Sequence, residues 1–185
     1  VAVMPLVMNK DFEQATMHAV LLDPAKMQRA IRYLLYYADR DDYWGIQFDF
    51  ENIHVSYRDL YNRFVQEAAR QFHQRGRKFS VAVVAKHSDR PEDYTESGWN
   101  NWAGVFDYTT LSRAADFLSV MTYDQHTHGT PPGPVAGVPW MKRVIEYTLT
   151  HVPREKISLG IPLYFRSWNT TGLRGGYGGF PDVVP

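Results

Sequence analysis

Cysteine is absent from the 185 residues, so no disulfide framework, thiolate nucleophile or thiolate metal site can be built. An excess of charge of either sign is missing too: Lys plus Arg and Asp plus Glu number 20 each. That balance offers no basic surplus for a nucleic-acid backbone or an anionic membrane, and it suits a neutral ligand. No apolar run approaches the roughly 20 residues that span a bilayer. Val1 to Met8 has neither the charged start nor the cleavage site of a signal peptide. The chain also opens without an initiator Met, inside what reads as a strand, and is expected to be a fragment forming a single domain over 1–185.

What is present is material for one sizeable core, with 44% hydrophobic residues. Aromatics reach 15%, with 5 Trp and 12 Tyr, which suits both core packing and surfaces that stack on sugar rings. Short apolar, β-branched runs at Val1 to Met8, Gly45 to Glu51, Phe79 to Ala85, Phe117 to Tyr123 and Ile157 to Leu163 read as buried strands. Helical patterns lie between them. Pro24 to Tyr37 follows Asp23 as N-cap, Tyr57 to Arg75 follows Ser56, a short one covers Tyr108 to Ala114, and Pro139 to His151 starts on a first-turn proline. Alternating strands and amphipathic helices predict an α/β fold with a parallel sheet. The spacing suits a (β/α)8 TIM barrel, here a partial one of about five βα units without its first and last strands. The glycine-rich stretch 167–185 reads as a loop or the start of an insertion.

The chemistry concentrates in the second strand. Period-two alternation puts Gln47, Asp49 and Glu51 on one face and Ile46, Phe48 and Phe50 on the other. A polar triplet facing inward is costly unless each group has a partner, and the carboxyl ends of barrel strands are where active sites form. Two neighbouring carboxylates resist joint ionisation, so one pKa should rise and leave a proton donor near neutral pH. Glu51, at the strand's end, is the better donor. The plainer alternative has Asp49 and Glu51 capping the next helix or pairing with Arg58 or Lys86.

Tyr43 to Asn52 resembles the DxxDxDxE signature of family 18 glycoside hydrolases, the chitinase-like enzymes. Trp44 and Gln47 stand at the first two acidic positions, and Asp49 and Glu51 match the last two. The wording GIQFDFENI is similar to the subgroup of bacterial spore-cortex-lytic N-acetylglucosaminidases, in which DFEN replaces DWE. Met121, Tyr123 and Asp124 resemble the family's MxYD motif, and Leu159 to Tyr164 resembles its penultimate strand. The likeness runs from Val1 to Trp168.

This resemblance implies a retaining glycosidase acting on an N-acetylglucosamine-containing polysaccharide, chitin or peptidoglycan, with no cofactor and no metal. Glu51 would be the acid and Asp49 would steady the acetamido group. Tyr123 would bond its oxygen, Met121 would line the pocket, and Asp124 would touch the sugar. Work on a cell wall implies export, or deposition in an envelope or spore layer. Trp99 and Trp102, read as lying in a polar loop, are candidate sugar-stacking residues, whereas Trp140, opening a helix, reads as structural. His126 and His128 could chelate a metal only with a further ligand cluster, and none is evident. Asn169-Thr170-Thr171 is a formal N-glycosylation acceptor. Gln47 keeps open a sugar-binding protein that does not cut. A barrel enzyme for phosphorylated metabolites lacks a glycine loop between strand and helix.

Overall fold

The computed structural model describes residues 1–169 and 176–179. Its strands are β1 (Leu6–Met8), β2 (Gly45–Asp49), β3 (Lys78–Val84), β4 (Phe117–Met121) and β5 (Ile157–Leu159), all parallel and in that spatial order. Between them run α1 (Gln14–Leu21), α2 (Pro24–Arg40), α3 (Arg58–Gln74), α4 (Glu96–Gly98), α5 (Tyr108–Ala114) and α6 (Val138–His151). This is the expected α/β architecture, five strands of a barrel with helices on one side.

Each boundary has a local cause. Asp23 caps α2 by accepting from the Ala25 and Lys26 amides, and Pro24 and Pro139 sit in first turns. Ser56 does not cap α3: it lies within a 3-10 turn, Val55–Tyr57, and the His54 side chain accepts its amide. Helix α1 goes beyond the expected elements. It buries only Met17 and Leu21, too short a stripe to stand out as a period.

The core is aromatic where β2 meets α3. Phe48 is fully buried, with its ring 4.7 Å from Phe79, 4.7 Å from Phe50 and 5.2 Å from Phe64. Ile46 and Phe50 join it on that face, so Gln47 and Asp49 are turned to the sheet's other side.

Two expectations need correction. Trp99 and Trp102 lie in helical turns rather than a loop, since Trp99–Ala103 forms a π-helical turn continuing from α4. The stretch after Leu163 is not all loop either. Strands β6 (Tyr164–Arg166) and β7 (Tyr177–Gly179) pair antiparallel, and Ser167 closes the pair through Gly176. Glycine-rich strands have weak β-propensity and depend on such cross-strand bonds, which sequence pattern does not reveal. Thr170 and Thr171 of the acceptor triplet, with Gly172 and Gly175, lie outside the described residues.

At Gly45 a Cβ would run into the Lys78 carbonyl of the neighbouring strand, backbone that cannot move aside without breaking the ladder. Gly45→Ala is expected to destabilise the fold by about 3 kcal/mol, at the upper end of overpacking costs, as read from denaturant unfolding.

Candidate active site

The carboxyl ends of β2, β3 and β4 open onto a cleft of about 530 Å³ lined by Glu51, Trp102, Met121, Tyr123, Asp124 and Trp140 among others. Glu51 lies two residues beyond β2, and Tyr123 and Asp124 lie just beyond β4. The two sequence segments are therefore brought together across β3.

Glu51 has a perturbed carboxyl. Burial, then the negative charges of Asp49 and Asp124, push its carboxyl up to about 7. Burial also raises Asp49, whose Oδ1 is buried and has no hydrogen-bond partner among the described residues, the Gln47 amide included. An orphaned buried acceptor is rare enough to suggest a donor supplied from outside. Burial and the charges of Asp49, Glu51 and Asp124 hold the Tyr123 phenol protonated, leaving a hydroxyl able to donate.

The plainer roles for these carboxylates do not hold. Arg58 donates to the Gly104 carbonyl, and Lys86 donates to Asp89 and to the Phe106 carbonyl. Helix α3 takes no side-chain cap from Asp49 or Glu51. Lys86 is 1% exposed and sits 5.4 to 5.6 Å from the rings of Trp99, Tyr108 and Tyr147.

Asp124 is held by residues that the motifs do not include. It accepts from Tyr164 Oη at 2.6 Å and from Arg166 Nη2 at 2.6 Å and Nε at 3.1 Å. Its own backbone is left-handed, φ 58. The Tyr-x-Arg triplet after Pro162 is the only sequence trace of this clamp.

The tryptophans divide differently from expectation. Trp102 lines the cleft, but Trp99 is 8% exposed and packs on Tyr94 and Lys86 behind it. Trp140, read as structural, packs on the core and also lines the cleft. Burial decides this, and sequence position alone could not order the three. His126 faces the Pro131 carbonyl through Nδ1.

Because the Glu51 pKa is higher folded than unfolded, its share of stability is intact below about 4.5 and is lost as pH rises through about 7. Glu51→Gln is therefore expected to exceed the native protein in stability at pH 8 by on the order of 1–2 kcal/mol and to match it near pH 4. Urea unfolding at the two pH values checks this, and equal stability at pH 8 would mean that the carboxylate stays hydrated.

Residues 4–181 match Glycosyl hydrolases family 18. The chain is 32% identical over 168 residues to the cortical fragment-lytic enzyme of Bacillus subtilis, covering 91% of this chain and 37% of that protein. It is 30% identical over 159 residues to the glycosylase YvbX of the same organism, covering 86% of this chain and 44% of that one. The structure superposes on a chitinase from Chromobacterium violaceum with a TM-score of 0.85 at 30% identity, covering 98% of this chain and 55% of the other. The chain spans less than half the length of these two curated relatives. With its parallel strands, its cleft at their carboxyl ends and this match over most of its length, the chain belongs to glycosyl hydrolase family 18.

Proposed function

We propose that these residues carry the acid/base centre of a retaining glycosidase that cleaves β-1,4 links following N-acetylglucosamine, by the substrate-assisted route. The observation that carries the reading is Glu51, a carboxyl pushed up to about 7 beside an Asp49 oxygen that lacks a donor. No enzyme nucleophile is required. Glu51 protonates the leaving glycosidic oxygen while the substrate's own acetamido oxygen attacks the anomeric carbon, breaking the C–O bond and closing an oxazolinium ring. Asp49 accepts the acetamido N–H and stabilises the positive charge that develops there, and Tyr123 Oη steadies the acetamido oxygen. The Glu51 carboxylate then takes a proton from water, whose oxygen attacks the anomeric carbon and reopens the ring with net retention.

Trp102 and Trp140, which line the cleft with Met121, offer flat apolar faces on which a pyranose can lie. The relatives named for cortical fragments and for chitin favour N-acetylglucosamine-containing glycans as the substrate class, peptidoglycan or chitin. Such a substrate places the work at a cell envelope or outside it. A second reading, glycan binding without cleavage, draws on Trp44 and Gln47 in place of two acidic residues of the signature. Turnover of chitooligosaccharides and of cortex peptidoglycan by the protein at its natural length separates the two.

Glu51→Gln is expected to lower turnover by on the order of 100-fold to 10,000-fold while sugar binding persists. Native turnover in that variant would refute the assignment. Asp49→Asn is expected to lose activity together with affinity for an oxazoline mimic, and tight mimic binding by it would remove Asp49 from the mechanism. The pH profile supplies a further check: kcat/KM should fall above about pH 7 as Glu51 ionises. In Asp124→Asn, with one negative charge gone, that fall should begin at lower pH; an unmoved limb would show that Asp124 does not tune the acid.

A further inference from the structure

Strand pairing stops before the acid is reached. The last β1–β2 pair is Met8 with Asp49 and the last β2–β3 pair is Phe48 with Val81, so among the described residues the peptide groups of Glu51 have no strand partner. Asn9, the residue after β1, supplies one. Its Oδ1 accepts from the Glu51 amide at 3.1 Å and its Nδ2 donates to the Glu51 carbonyl at 3.1 Å, with a longer contact of 3.4 Å to the Glu13 carbonyl. A carboxamide carries the donor and acceptor of a peptide group, so Asn9 continues the ladder by one side chain. It is 4% exposed, which strengthens both bonds and makes their loss costly. The next residue, Asn52, is left-handed at φ 53 and donates to the Phe12 carbonyl at 3.0 Å, so the chain turns away immediately past the clamp.

We propose that Asn9 is a positioning residue for Glu51, holding its backbone beyond the end of β2 so that the carboxyl stays directed into the cleft. The inference rests on Glu51 being the general acid. Neither the polar triplet of β2 nor the MxYD-like segment includes Asn9, and its role is visible only once β1 lies beside β2. Among the described residues, the groups facing Glu51 are Asp49 on β2, Tyr61 on α3, and Tyr123 and Asp124 beyond β4. None is a cation, so Glu51 keeps its proton only while its backbone holds it among them and away from water. Release of that backbone lets the carboxyl rehydrate and titrate lower. An ionised aspartate in place of Asn9 would lack the donor and add a like charge, whereas a protonated one restores both bonds.

The test compares Asn9→Ala, Asn9→Asp and Glu51→Gln in the protein at its natural length, on a chitooligosaccharide. Asn9→Ala should lose kcat on the order of 100-fold, the cost of a displacement near 1 Å, with KM little changed and the alkaline limb moved to lower pH. Asn9→Asp should approach native activity as pH falls, while Asn9→Ala should not. Unchanged kcat and an unmoved limb in a folded Asn9→Ala would overturn the proposal. If that variant does not fold, the pH-dependent recovery of Asn9→Asp decides, and its absence overturns the proposal. Glu51→Gln keeps the two ideas apart: native turnover there refutes the acid itself, whereas a dead Glu51→Gln beside a native-like Asn9→Ala refutes only the clamp.

Discussion

The packing of Phe48 is the constraint on which the rest depends. Its ring is enclosed by Phe50, Phe64 and Phe79, so the pleat of β2 can take only one phase. A slip of one residue would bring Gln47 and Asp49 into that aromatic layer and expose Phe48. Burial of one apolar ring thereby turns Asp49 to the barrel side and leaves Glu51, two residues on, at the cleft. The chemistry is a by-product of the hydrophobic face.

Once there, the carboxylates are held against their own solvation and charge. Glu51 and Asp49 are both raised by burial, and among the described residues no cation offsets it. Asp124 differs in being paired with Arg166 and Tyr164, so among the described residues one of the three carboxylates has a cationic partner and the other two do not. That division matches what the proposed reaction needs: one carboxyl that retains a proton near neutral pH and one oxygen free to accept from a ligand.

The cleft's far wall is held by a different interaction. Lys86 is buried with its ammonium on Asp89 and on a backbone carbonyl, inside a cage made by Trp99, Tyr108 and Tyr147. Burial lowers its pKa, and the hydrogen bond and negative charge of Asp89 oppose that fall. The cage fixes Trp99, and Trp99 begins the turn that delivers Trp102 to the cleft. Gln14 reaches the same turn from α1 by donating to Asn101 as well as to Asn52 beside the acid. Amide contacts thus join the acid-bearing and tryptophan-bearing segments.

The sequence by itself determined the alternation of strands and helices, the faces of β2, and the choice of Glu51, Asp49, Met121, Tyr123 and Asp124 as the candidate set. These are legible because period-two patterning and local motifs depend only on neighbours in the chain. Tertiary structure alone decided that Trp102 and Trp140 reach the cleft while Trp99 is buried behind it, that Arg166 holds Asp124, and that Asn9 clamps the backbone of Glu51. Each of those joins residues about 40 positions apart or turns on which side of a helical turn meets the core. Such contacts are set by strand order and packing, and no local pattern encodes them.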